Sequence, residues 1–154
     1  MTAEPMIDTG VTVHDDDELP SDGRRIVDDG LTAANAAAAP LHEVRALGCF
    51  AREAHGTVIG GAIGRTWGRC CELQQLWVHA DHRRRGLGTR LVEAFERRAQ
   101  ERGCTVFYLE TFSFQAPALY ARLGYRAELG IDGFAPGVVK HFMVKEVSAS
   151  AHGA

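Results

Sequence analysis

A basic, glycine-containing segment between a predicted strand and a predicted helix most constrains how this chain can fold. The strand is an apolar run that ends at Val78, the loop contains Arg83-Arg-Arg-Gly-Leu-Gly88, and the helix continues to Gly103. A loop that runs into a helix start exposes backbone N–H groups with no intrahelical partner, and the helix dipole adds partial positive charge there. The two glycines leave room for close approach, so the segment predicts a phosphate or pyrophosphate site.

The spacing of this loop excludes two common phosphate-binding motifs. The loop has no lysine for the pattern G-x-x-x-x-G-K-[ST], and Leu91 stands where the pattern G-x-G-x-x-G needs its third glycine. What remains is Arg83-x-x-Gly86-x-Gly88. This pattern resembles the R/Q-x-x-G-x-G/A pyrophosphate loop of the GNAT superfamily of acyl-CoA-dependent N-acyltransferases.

Two further blocks carry the same resemblance. The segment from Leu109 to Tyr125 contains Ala116-x-x-Leu-Tyr120-x-x-x-Gly-Tyr125, which is similar to the superfamily's A-x-x-L-Y-x-x-x-G-F/Y block. Gly133-Phe-Ala-Pro-Gly137, followed by a last strand at Phe142-Met-Val-Lys145, looks like a bacterial branch of the superfamily. The resemblance covers roughly residues 40–147, and the first forty residues resemble no family that we can name.

Length and periodicity predict a single α/β domain over residues 1–154, with residues 1–10 and 148–154 as loose tails. We expect helices at 20–39, 87–103 and 116–123, and strands at 11–13, 43–54, 57–66, 69–78, 105–110, 125–129 and 140–147. In the second helix, Leu91, Val92, Phe95 and Ala99 form the buried stripe, and the solvent-facing residues are Glu93, Glu96, Arg97, Arg98 and Glu101. This order is also that of the GNAT fold, which implies a mixed, strongly twisted sheet of about seven strands flanked by about four helices.

Composition limits the class of protein. No apolar run approaches the ~20 residues of a membrane span, and the N-terminus lacks a secretory signal, so we expect a cytoplasmic protein without membrane partners. The net charge is −3, with −7 in residues 1–30 and +4 in the remainder, which argues against nucleic-acid binding. The acidic segment either lines a site for a cationic substrate or is solvated surface. The four cysteines lack C-x-x-C spacing and the seven histidines are scattered, so we expect free thiols and no metal.

The resemblance implies acetyl-CoA as cosubstrate. It places the pantetheine against backbone groups at the end of the strand and the pyrophosphate on the loop N–H groups, with Arg83 and Arg84 as direct phosphate contacts. Ser113 stands where many relatives carry Asn, seven residues before the tyrosine of the block; we expect it to cap the next helix. The predicted cofactor-binding residues are Leu76, Trp77, Val78, Arg83, Arg84, Arg85, Gly86, Leu87, Gly88, Thr89 and Ser113.

Two residues are the predicted catalytic groups. Tyr120 matches the family's tyrosine near the coenzyme sulfur and would protonate the leaving thiolate; the alternative is a core tyrosine. Glu72 matches the catalytic glutamate of histone-type members and would accept the proton of the amine; the alternative is a surface glutamate paired with Arg69 or Arg45. Glu110, His79 and a chain of waters are rivals for the role of base.

The implied function is that of an enzyme. It would move an acetyl group from acetyl-CoA to a primary amine, on a small molecule or a protein, by direct transfer in a ternary complex without a cysteine intermediate. A non-catalytic acyl-CoA-binding module and a generic nucleotide-binding protein are the alternatives. A homodimer paired through sheet edges near residues 125–147 is one option for the assembly.

Overall fold

The computed structural model describes residues 10–149. The chain divides into two units after Pro40. The predicted tails lie almost wholly outside the described residues. The prediction of one domain over the whole chain stays a prediction.

Within its described residues, 10–40, the first unit contains one helix, α1, which spans Ser21–Ala38. Arg24 and Arg25 form ion pairs with aspartates four residues later on this helix. The helix stops before Ala39, whose backbone is extended because the following residue is Pro40. The expected strand at 11–13 does not form. The apolar stretch is only three residues long, and the aspartates that follow it disfavour strands.

The second unit is a sheet with two helices, and its elements follow the predicted order. Its strands are β1 (Arg45–Arg52), β2 (Val58–Trp67), β3 (Cys70–Val78), β4 (Val106–Phe112), β5 (Arg126–Ile131) and β6 (Lys140–Glu146). Its α-helices are α2 (Leu87–Glu101) and α3 (Pro117–Arg122), and short 3-10 turns lie at Leu41–Glu43 and Ala80–His82. The predicted fold class is confirmed, with six strands rather than about seven because the N-terminal strand is missing.

The strand order is β1-β2-β3-β4-β6-β5. Only β3 and β4 are parallel, as a strand–helix–strand unit requires, and every other pair is antiparallel. Helix α2 covers one face of β1–β3 with the predicted buried stripe. Phe95 is 1% exposed and packs in the core with Cys71 and Leu73 of β3. No helix among residues 10–149 is long and apolar enough to cross a membrane.

One residue assigned to the solvent face of α2 is buried. Glu96 is 5% exposed, and its Oε2 accepts a hydrogen bond from Lys145 Nζ of β6 at 2.7 Å. The prediction was wrong because helical periodicity does not show that β6 brings a lysine to this edge of α2. The charge of Glu96 acts on Tyr125 as well: burial first, and then this carboxylate, raise the pKa of Tyr125 well above its usual range.

We expect Lys145→Met to destabilise the protein by about 2–3 kcal/mol, because it leaves the Glu96 carboxylate buried without its charge partner. Urea unfolding measures this change. The exposed pair of Arg98 and Glu101 is the control: Arg98→Met should cost less than about 0.5 kcal/mol. The double variant Glu96→Gln/Lys145→Met should recover most of the loss. If Lys145→Met and Arg98→Met lowered the free energy of unfolding equally, the buried ion pair of Glu96 and Lys145 would not have the stabilising role given to it here.

Candidate active site

A wedge opens in the sheet where β3 and β4 separate. The two strands pair only from Cys70 with Val106 to Leu73 with Leu109. Beyond that rung, β3 stays on β2 and β4 stays on β6. The wedge holds a cavity of about 240 Å³, lined by Leu73, Gln74, Gln75, Leu76, Glu110, Thr111, Gln115, Ala116 and Tyr120.

A β-bulge explains why the strands separate at this point. Ile63 pairs with Gln75 and Gly64 pairs with Leu73, so Gln74 has no partner on β2. Such an extra residue bends its strand and increases the local twist. Gly64 has to be glycine, because a Cβ there would lie 1.8 Å from the carbonyl oxygen of Glu72. The bend leaves the β4-facing backbone of Leu76–Val78 without a neighbouring strand, as an extended ligand requires.

The loop after β3 has the backbone of an anion site. Arg84 and Gly86 have positive φ angles of 61° and 73°, on either side of Arg85. Alternating backbone of this kind turns successive N–H groups toward one point and forms an anion-binding concavity. The first hydrogen bond of α2 runs from Arg90 N to Gly86 O. The N–H groups of residues 87–89 therefore have no intrahelical partner and are available to the same ligand.

The arginines of the loop have different roles in the structure. The Nε of Arg83 donates to the carbonyl oxygen of Val78 at 3.0 Å, which fastens the loop to the end of β3. Only the terminal nitrogens of Arg83 remain for a phosphate. The side chains of Arg84 and Arg85 are exposed and make no hydrogen bond with the described residues. Of the two predicted phosphate contacts, Arg84 is the one whose guanidinium is uncommitted.

Gly88 links the loop to the wedge. A Cβ at Gly88 would lie 3.7 Å from Leu119 Cδ2 and 4.0 Å from Val78 Cγ2, so α2 begins beside both the end of β3 and α3. These are ordinary contact distances, and the φ of Gly88 is not positive. The protein itself has room for a larger residue here. The side chain of Leu87 lies against the core, so only its backbone faces the loop. Thr89 is half-buried.

Tyr120 is a buried residue that lines the wedge cavity. It is 7% exposed and makes an edge-to-face contact with Tyr125, with 5.8 Å between the ring centroids. Burial raises the pKa of Tyr120 to about 12. The phenol therefore keeps its proton throughout the neutral range. It can donate a hydrogen bond to an atom placed in the wedge.

Glu72 lies on the other face of the sheet. Its neighbours Cys71 and Leu73 are buried on the α2 side, so the Glu72 side chain points away from α2. Its Oε2 accepts a hydrogen bond from Arg65 Nε at 2.7 Å. The pairing expected with Arg69 or Arg45 is wrong, since Arg69 donates to Thr105 Oγ1. The two-residue turn between Trp67 and Cys70 brings residues 65 and 72 opposite each other, and its Gly68 was the signal for that register.

The rival bases occupy different surroundings. Glu110 is the one carboxylate among the residues that line the wedge, and it forms an ion pair with Lys140 at 2.7 Å. The Nδ1 of His79 accepts a hydrogen bond from Asp81 N, and this bond begins the 3-10 turn. The ring of His79 also contacts Trp77 edge-to-face. Neither His79 nor Glu72 lines the wedge cavity.

Ser113 does not cap α3 as expected. The helix begins after Ala116 without a side-chain cap. The Oγ of Ser113 instead accepts a hydrogen bond from Val139 N at 3.1 Å and donates to Gly137 O at 3.4 Å. Ser113 thus ties the end of β4 to the turn before β6. The sequence prediction missed Gln115, which lines the wedge and whose Oε1 accepts from Phe112 N.

The thiols of the core are held in their protonated form. Burial raises the pKa of Cys71 to about 12 and also raises the pKa values of Cys49 and Cys104. Cys70, next to Cys71 on β3, is exposed on the opposite face of the sheet. No cysteine lines the wedge cavity. Among the described residues, a phenol (Tyr120) and a carboxylate (Glu110) line the wedge cavity.

The wedge in the parallel strand–helix–strand unit, the basic loop with positive-φ backbone and the buried tyrosine are the features that the sequence resemblance implies for an acyltransferase. Residues 16–125 match the sequence profile described as the acetyltransferase (GNAT) family, and the chain belongs to that family. The predicted resemblance is therefore confirmed. Enzymes of this family transfer an acyl group from acyl-CoA to an amine-type acceptor.

Individual relatives agree with this assignment. Blasticidin-S acetyltransferase of Streptomyces morookaense is 39% identical over 112 residues, which are 70% of this chain and 82% of that protein. An acetyltransferase structure from Bacillus cereus has a TM-score of 0.74 at 23% identity and covers 87% of this chain and 98% of its own. The structure of the ribosomal-protein-S18-alanine N-acetyltransferase of Escherichia coli has a TM-score of 0.62 at 23% identity and covers 71% of this chain and 74% of its own. The two structures support the fold.

Proposed function

We propose that this enzyme transfers the acetyl group of acetyl-CoA to a primary amine by direct attack in a ternary complex. The observation that carries the proposal is the position of Tyr120 in a wedge that adjoins the anion-binding loop. Gly88 connects the two, since it lies beside both Val78 and Leu119. A diphosphate on the loop would therefore let an extended pantetheine run along β3 and bring its thioester to Tyr120.

The cofactor contacts that we propose follow from the free backbone groups. The N–H groups from Arg84 to Thr89 bind the pyrophosphate, with the Arg84 and Arg85 guanidiniums beside it. The wedge-facing backbone of Leu76, Trp77 and Val78 binds the pantetheine. Both hydrogen-bonding directions of Ser113 are occupied by residues 137–139. We therefore propose a structural role for Ser113 at the mouth of the wedge.

The chemistry assigns one step to each group. The amine nitrogen attacks the thioester carbon, the C–S bond breaks, and its electron pair goes to sulfur. Tyr120 donates its proton to the departing thiolate as charge develops there. Desolvation in the wedge raises the proton affinity of that thiolate as well, which helps a phenol of high pKa to act. The proton lost by the amine passes to a carboxylate or to water.

Glu72 is our first choice for the base and Glu110 the second. We expect Glu72→Gln to shift the acidic limb of the pH–rate profile, because a carboxylate that must be ionised has been removed. Glu110→Gln is the matched variant, since Glu110 also pairs with one basic side chain. A profile changed only by Glu110→Gln would transfer the role to Glu110. Two unchanged profiles would leave proton removal to His79 or to water.

The acceptor that we propose is a small molecule with a primary amine. The relative named for blasticidin S supports this choice, and the acidic residues of the first thirty suit a cationic acceptor. A lysine or N-terminal amine of a protein is the other option, suggested by the histone-like position of Glu72. The cytoplasmic location and the homodimer expected from the sequence stay predictions.

Calorimetric titration with acetyl-CoA, CoA and ATP tests the cofactor, and thiol release across a panel of amines that includes blasticidin S tests turnover. We expect micromolar binding of acetyl-CoA and thiol release with at least one amine. Binding without turnover, including with lysine peptides, would favour a non-catalytic acyl-CoA-binding module. A preference for ATP over acetyl-CoA would refute the proposal.

A further inference from the structure

A second cavity lies on the face of the sheet away from α2, outside the wedge. Its volume is about 310 Å³. Three adjacent strands form its floor: β2 supplies Arg65 and Trp67, β3 supplies Glu72, and β4 supplies Tyr108. Because these strands are hydrogen-bonded to one another in this stretch, the four side chains are held on one rigid platform.

The walls of this cavity are aromatic and apolar. Trp67 is 40% exposed, so a large part of its surface is accessible, and Tyr108 is half-buried beside Phe142 with 5.8 Å between the ring centroids. Leu41 and Val44 add aliphatic surface. A cleft of this kind binds most tightly a flat, apolar ligand that contacts the aromatic rings over its whole face. A flexible aliphatic chain fits it less well.

The polar groups of the cavity include free donors. The Nε of Arg65 is engaged by Glu72, but its terminal nitrogens make no hydrogen bond with the residues described here. The Tyr108 hydroxyl likewise has no hydrogen-bond partner in residues 10–149. Burial, and then the nearby charge of Glu72, raise the pKa of Tyr108, so the hydroxyl keeps its proton and can donate a hydrogen bond. The Oε1 of Glu72 accepts no hydrogen bond from residues 10–149, so it is a free acceptor. Carbonyl and ring-nitrogen acceptors next to an amino group complement this set.

The cavity adjoins the chemistry of the proposed reaction. Glu72 and Tyr108 form the rung of the parallel pair immediately before Leu73 and Leu109, where the wedge opens. A ligand held by the cavity therefore lies next to the gap through which the thioester is reached from the opposite face.

We propose that this cavity is the acceptor subsite, and that the acceptor carries its amine on a planar nitrogen heterocycle. The heterocycle packs against Trp67 and Tyr108, accepts hydrogen bonds from Arg65 and Tyr108, and donates to Glu72. A linear polyamine is excluded as the preferred acceptor, because it has no acceptor atom for Arg65 and no flat face for the rings. This inference rests on the proposed function, since it names the substrate class of the same site.

The chain has two tryptophans, so Trp77→Phe makes Trp67 the sole tryptophan, whose fluorescence is excited selectively at about 295 nm. We expect cytidine and adenosine, used as planar heterocyclic amines, to quench Trp67 saturably, and spermidine to leave it unchanged. Adding Arg65→Met should weaken nucleoside binding at least tenfold. Arg69→Met is the matched control, because Arg69 is a nearby arginine that binds Thr105, and it should leave binding unchanged. Equilibrium dialysis of labelled cytidine on the unmodified chain repeats the comparison without changing a tryptophan.

The inference would be overturned if neither nucleoside bound saturably. It would also be overturned if spermidine bound more tightly than the nucleosides, or if Arg65→Met left the affinity for the nucleosides unchanged. Calorimetry with acetyl-CoA on the same proteins separates the two proposals. Normal acetyl-CoA binding together with any of these results refutes the acceptor class alone. If the unmodified chain does not bind acetyl-CoA at all, the proposed function itself is refuted.

Discussion

Gly88→Asp is expected to weaken acetyl-CoA binding by more than a hundredfold while the protein stays at least as stable as the wild type. An aspartate here brings a negative charge to the proposed diphosphate site. Two like charges at ~5 Å and an effective dielectric of ~20 repel by about 3 kcal/mol, which corresponds to more than a hundredfold in affinity. Stability does not suffer, because the position has ordinary φ and room for a Cβ. An acidic residue in the first turn of α2 also complements the helix dipole.

The measurement is calorimetric binding of acetyl-CoA beside thermal unfolding of the same variant. Gly88→Asn is the control, since asparagine has the size of aspartate without its charge. It should lose less affinity than Gly88→Asp. Gly86→Glu should also abolish binding, but Gly86 has a φ of 73°, so its replacement adds backbone strain and is the less clean test. Unchanged affinity in Gly88→Asp would place the diphosphate elsewhere.

Tyr120→Phe is expected to lower kcat by at least tenfold, towards the ~10²-fold that general-acid catalysis typically contributes. The affinity for acetyl-CoA should stay within about twofold, because the phenyl ring still lines the wedge cavity. Steady-state kinetics with a thiol reagent, combined with calorimetry, separates the two effects. Tyr125→Phe is the matched control, since Tyr125 contacts Tyr120 but does not line the wedge cavity. Unchanged turnover in Tyr120→Phe would remove the phenol from the mechanism.

Tyr120 also predicts how stability depends on pH. Burial raises its pKa to about 12 in the folded protein, against ~10 in the unfolded chain, so its neutral form stabilises the fold. That contribution is complete below about pH 10 and is lost as the pH rises toward 12. Urea unfolding between pH 9 and pH 11 should therefore show a smaller loss of stability in Tyr120→Phe than in the wild type. Equal slopes would indicate that the phenol ionises as freely when folded as when unfolded.

Local pattern was enough to predict most elements of the sheet unit. The apolar run before Val78, the glycines of the loop and the stripe from Leu91 to Ala99 each depend on residues within a few turns of one another. The parallel pairing of β3 and β4 followed from the helix between them. The predicted second and third helices stop at or just before Gly103 and Gly124, and both glycines have left-handed backbone in the structure.

Three wrong predictions about side-chain partners share one cause: each concerned a partner that is distant in sequence or set by strand register. Helical periodicity predicts that Glu96 lies on the surface of α2, but β6 places Lys145 against it. Ser113 bonds to residues 137–139 across the sheet rather than to the helix that follows it. Glu72 pairs with Arg65 because the turn between β2 and β3 has two residues. None of these contacts leaves a periodic signal in the neighbouring residues.

The sequence by itself thus determined the family and the order of the strands and α-helices in residues 41–149, because hydrophobic period, turn glycines and motif spacing are local properties. For the same reason it predicted an anion-binding loop. Only the tertiary structure decided that β3 carries a bulge at Gln74 and that the wedge opens after Leu73. It also placed Tyr120 and Glu72 on opposite faces of the sheet and formed a separate cavity beside Glu72. These features depend on which residues of different strands stand opposite each other, and a shift of one residue in that register moves every side chain to the other face.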